Sequence, residues 1–158
     1  MPIISTLRHQ HPFIPFADEN ERLNDVEALL ETLCAVQINP RVKKMMLDRV
    51  VWLVAQLTGD FYSRYRSHGT LRADGARIQR DHVHTRKFLV SELQIPGTNL
   101  RSIIERAHCC IVTREEHARL NRVPNNFQGW ARYHHAGVRV RNMQTNEDVV
   151  YSVIEAPI

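Results

Sequence analysis

Residues 80–87 run Arg80-Asp81-His82-Val83-His84-Thr85-Arg86-Lys87, which places one carboxylate, two imidazoles and three cations in eight consecutive positions. Imidazoles titrate near neutrality and suit proton transfer. Arginine and lysine suit the grip on phosphate. The combination points to acid/base work on a phosphodiester. A second constellation needs no metal: His82 and His117 form a candidate acid/base pair, with Arg86, Lys87 and Arg114 holding phosphate. The plainer alternative is that His82 caps a turn and His117 lies solvated on a helix face. His82 and His84 have metal-site spacing on a strand but diverge on a helix.

Three matched positions add a resemblance. Asp81-His82-Val83 resembles the Asp-His-(Ile/Val) opening of HNH, or ββα-metal, nucleases. Asn99 follows His82 by seventeen residues and His108 follows Asn99 by nine. The second spacing is usual in that family and the first slightly long. The resemblance covers about residues 81–108 and implies a divalent metal, Mg or Zn, held by Asp81 and His108. It also implies that His82 activates water and that Asn99 orients His82. Thr85 stands where the family has Pro.

The elements that must position these residues follow from periodicity. Residues 1–17 carry Pro2, Pro12 and Pro15 and are expected to form an extended surface arm, with a single domain over 18–158. Asp18 and Glu21 fit a capping box, opening a helix with a Leu23, Val26, Leu30, Leu33 stripe. The helix is expected to end at Asn39-Pro40, and Pro40 to take the first turn of a second helix with Val42, Met46, Val50, Leu53 and Leu57 on its apolar side. The two helices are expected to pair as a hairpin, with Leu30, Leu33, Val50, Leu53 and Leu57 buried at the seam. Residues 60–67 alternate as a strand with aromatic and basic positions, including Arg64 and Arg66. Residues 68–80 are expected to be loop, and Asp81 to cap a helix reaching Leu93. Asn99 or Thr98 caps a short helix, Cys109 to Val112 forms a buried strand, and Thr113 with Glu116 forms a capping box. Trp130 to Ala136 is helical with Gly137 as its stop, and the tail is a hairpin. The fold class is α+β, a helical hairpin packed with a small antiparallel sheet and further short helices.

Composition bounds the function. The 158 residues are 43% hydrophobic and 24% charged, a globular profile with no run long enough to span a bilayer. No signal-peptide order appears at the N-terminus, so the cytoplasm is expected and a membrane partner is not. Three cysteines without Cys-x-x-Cys spacing fit small core residues rather than disulfides or a zinc knuckle. The net charge is +4, with acids crowded into residues 18–31 and cations into 64–87. That asymmetry points to DNA or RNA as partner, through Arg64, Arg66, Arg80, Arg86, Lys87 and Arg114. No phosphate-loop, nucleophile-elbow or dinucleotide fingerprint occurs, which disfavours kinases, simple hydrolases and nicotinamide enzymes. Two functions remain. One is a small nuclease with His82 as general base, metal-assisted or with a metal-free His pair. The other is a non-catalytic protein that regulates or inhibits a nucleic-acid-processing machine.

Overall fold

Asn39 accepts a hydrogen bond from the Arg41 backbone N–H, and Pro40 takes the first helical position, where its missing N–H costs nothing. This start launches one of the two long helices in the computed structural model, which describes residues 12–60, 63–72 and 77–151. In chain order the elements are β1 (Ile14–Pro15), α1 (Glu19–Ala35), α2 (Pro40–Leu57), β2 (Gly59–Asp60), β3 (Tyr65–Ser67) and α3 (His68–Arg72). They continue with β4 (Ile78–His82), α4 (Arg86–Leu93), α5 (Leu100–Arg106), β5 (Cys109–Thr113), α6 (Arg114–Leu120), α7 (Gly129–His135), β6 (Val140–Asn142) and β7 (Glu147–Asp148). The class is α+β, as the sequence leads one to expect. No helix among the described residues is long and apolar enough to cross a membrane.

Two apolar clusters form the interior. Helices α1, α2, α4 and α5 enclose Val26, Leu30, Leu33, Leu47, Val50, Val51, Val54, Leu89, Val90, Leu93, Ile103 and Ile104. The sheet and α6–α7 enclose Val83, Cys110, Val112, Leu120, Tyr133, Val138 and Val140. The five-stranded sheet has the order β4-β5-β3-β6-β7. It is mixed rather than antiparallel, because β3 runs parallel to β5. The other neighbours are antiparallel, with Asp81 opposite Cys110 and His82 opposite Cys109.

Several expectations shift. Residues 1–11 of the expected arm lie outside the described residues, but Phe13 is buried and its N–H bonds the Met143 carbonyl. The start of the described chain is therefore pinned to the sheet end by Phe13, with Pro12, Ile14 and Ala17 exposed. Asp18 makes no capping bond; its carboxylate pairs with Arg22 at 2.8 Å. The apolar seam of α2 is rotated: Leu47, Val51 and Val54 are buried with Val50, while Val42 and Met46 are exposed and Leu53 and Leu57 half-buried. Methionine, valine, leucine and tryptophan occur on every side of α2, so packing rather than pattern selects the buried face. The stretch 68–80 is not all loop, since it holds α3 and most of β4. Asp81 and His82 end a strand instead of opening a helix. The helix cap is Thr85, whose hydroxyl accepts from the Phe88 N–H.

Candidate functional site

Strand β4 delivers Asp81 to the interior, where it is 4% exposed. A buried carboxylate is expensive unless paired and hydrogen-bonded, and α7 supplies the partners. Arg132 grips it with two bonds, Nη1 to Oδ2 at 2.8 Å and Nη2 to Oδ1 at 3.1 Å. The Tyr133 hydroxyl donates to Oδ2 at 2.6 Å. Arg132 Nη1 also donates to the His82 carbonyl at 3.0 Å, so α7 holds the end of β4 by side chain and backbone together.

The fourth group at Asp81 is His117, whose Nδ1 stands 3.2 Å from Oδ1. The contact lies off the line of a directed hydrogen bond, and Nδ1 has no other partner among the described residues. His117 reaches this place because the Thr113–Glu116 capping box fixes the first turn of α6. Glu116 is itself anchored: its Oε2 accepts from Thr113 N–H at 2.8 Å and from the Ser67 hydroxyl at 2.5 Å. A Cβ on Gly69 would collide with the Glu116 carboxylate, so α3 and α6 depend on glycine there for their close approach.

His82 and His117 open into one pocket of about 240 Å³, together with Trp52, Arg80, Asp81, Thr85, Arg86, Asn121 and Arg132. Burial, reinforced by the Arg86 charge, pushes His82 down to about 4, with the Val51 backbone pulling weakly the other way. The ring is therefore neutral at pH 7, and its Nε2 has no partner among the described residues. Arg86 reaches Asp48 at 3.2 Å across the pocket rim, while Arg80 makes no ion pair among the described residues.

His108 belongs elsewhere. Its Nδ1 contacts the Glu105 carbonyl at 2.8 Å, and its ring packs against Tyr65 and Trp130 at centroid distances of 4.9 and 5.6 Å. It lines a different pocket, of about 210 Å³, with Ser63, Arg64 and Glu105. His84 joins this aromatic group, its ring set against Gly129, whose positive φ of 63° and missing Cβ make the room. Burial, then the neighbouring His108, pushes His84 down to about 4.

The metal pair implied by the HNH resemblance does not fit these residues. Both Asp81 oxygens are occupied by Arg132, Tyr133 and His117, and His108 faces another pocket. Among the described residues no cluster of three or more His, Cys, Asp or Glu is placed to hold a metal. Asn99 does not orient His82; its side chain caps α5 by accepting from Ser102 N–H at 3.1 Å. No family model, curated protein or solved structure matches this chain.

The expected nucleic-acid contacts divide in the same way. Arg80 and Arg86 line the pocket. Lys87 and Arg114 are exposed on the surface outside it. Arg64 is tied to Glu19 at 3.3 Å and lies over the Phe13 ring. Arg66 is fully buried in β3 and cannot touch a nucleic acid. Cys109 and Cys110 are core residues, with burial pushing the Cys109 thiol up to about 12 and the Cys110 thiol well above its usual range. Sequence reasoning missed Arg132, Tyr133 and Trp52. The sequence carries no local signal for the first two, since Asp81 stands between Arg80 and His82 and its donors lie fifty-one and fifty-two residues on, in α7.

Proposed function

We propose that this chain cleaves nucleic-acid phosphodiesters at the pocket shared by His82 and His117. The observation that carries the reading is the Asp81–His117 contact beside the neutral His82. A buried carboxylate within reach of a ring nitrogen is the arrangement that holds an imidazole for proton transfer once substrate brings the two into line. Two imidazoles in one cation-lined pocket supply a base and an acid. His82 is the base, because burial keeps it unprotonated. His117, positioned by Asp81, is the acid that protonates the leaving oxygen. Arg80 and Arg86 neutralise the phosphate.

In this reading the nucleophile is the substrate's own 2′-hydroxyl, already positioned beside the phosphorus. His82 removes its proton, the oxygen bonds to phosphorus, and the bond to the 5′-oxygen breaks as His117 donates. RNA is accordingly the expected substrate, giving a cyclic phosphate and a 5′-hydroxyl. His82→Ala and His117→Ala should each lower cleavage roughly 10²–10⁴-fold with little change in affinity. For free enzyme and substrate, kcat/KM should rise with pH through a limb near 4, where His82 loses its proton. Activity should survive a chelator. Cleavage that needs a divalent ion, or no cleavage of RNA at all, would sink the metal-free reading.

A further inference from the structure

Trp52 is not part of the proton-transfer chemistry, yet it lines the same pocket as His82, His117, Arg80 and Arg86. It comes from α2, one residue after Val51, whose backbone faces the His82 ring. An indole is half-buried here although α2 has a full apolar seam without it. The Arg49 guanidinium lies over the ring, 4.2 Å from its centroid. An aromatic surface beside cationic groups is how single-stranded nucleic acids are held, with a base on the ring and the backbone on the charges.

The size of the pocket narrows the ligand. At about 240 Å³ it falls below the ~300–1,000 Å³ of ordinary small-molecule sites. It has room for one nucleotide unit rather than a stacked pair. A base inside a duplex would have to leave its stack to enter. The geometry points to a single-stranded substrate whose base, next to the scissile phosphate, stacks on Trp52 while that phosphate meets Arg80 and Arg86. The inference rests on the phosphodiesterase reading for the position of the phosphate, and adds the strand state and the base contact.

The test uses the full chain with non-cleavable ligands: short single-stranded DNA and 2′-O-methyl RNA, the same strands carrying abasic sites, and matched duplexes. Intact single strands should quench indole fluorescence. Abasic strands should bind roughly 5- to 150-fold more weakly, the range that loss of one stacked base produces. Duplexes should bind no better than abasic strands. Trp52→Phe should retain most of the intact-to-abasic ratio, and Trp52→Ala should erase it. Abasic strands or duplexes that bind the wild type within about twofold of intact single strands would overturn the inference, whatever the variants do. Cleavage is scored separately. A chain that cleaves RNA but ignores the base keeps the chemistry and loses the platform. A chain that prefers intact strands but cleaves nothing keeps the platform and loses the chemistry.

Discussion

Arg132 and Asp81 are each about 5% exposed at the side chain, so neither charge is solvated. The pair gains attraction in a poorly polarisable interior but loses the hydration of both ions. Removing one partner is therefore far worse than removing both. Arg132→Met should destabilise the protein by roughly 3–5 kcal/mol, because it leaves the Asp81 carboxylate buried beside only Tyr133 and His117. The double variant Asp81→Asn with Arg132→Met should recover most of that loss. Urea unfolding of the two single variants and the double closes the cycle, and purely additive losses would mean the pair is not coupled.

At the scale of elements, the legible features were those written in local chemistry. The Thr113–Glu116 box, the Asn39-Pro40 start and the Asn99 cap each form with the partners their residue types demand. What stayed hidden depended on tertiary choice. The period of α2 could not select Leu47 over Leu53, since both belong to plausible apolar stripes. Asp81 resembled a helix cap because local sequence cannot show a strand whose carboxylate is met by an arginine fifty-one residues later. The site was half visible for the same reason: His82, His117, Arg80 and Arg86 announced themselves by type, whereas nothing set Trp52 apart from the apolar residues around it in α2. The rotated seam makes a direct prediction. Leu47→Ala, at 1% exposure, should cost roughly 2–5 kcal/mol, and Leu53→Ala distinctly less, by chemical denaturation. Equal losses would put the seam back where the sequence alone suggests.

Across the whole molecule, His82 and His84 link stability to acidity. Each ring titrates near 6.5 when unfolded and near 4 in the fold. Between those values the unfolded chain binds more protons, so folding is fully favoured above pH 6.5 and loses ground as pH falls towards 4. The loss approaches ~3 kcal/mol per ring as an upper bound. Asp148, held down to about 2 by His68 and by Arg139 and Arg141, titrates below this window and should not obscure it. Urea midpoints should drop between pH 7 and 4.5, and His84→Gln should flatten the drop; a flat wild-type profile would count against burial of these rings. The long reach from β4 to α7 has a further meaning during synthesis. Asp81 is made fifty-one residues before Arg132, and ribosomes add about 5–20 residues per second. For about 3–10 s the growing chain carries an acid with no base to receive it. The Asp81–Arg132 anchor of strand β4 therefore forms only once α7 is made, and the helical cluster, whose residues all precede β5, is free to assemble first.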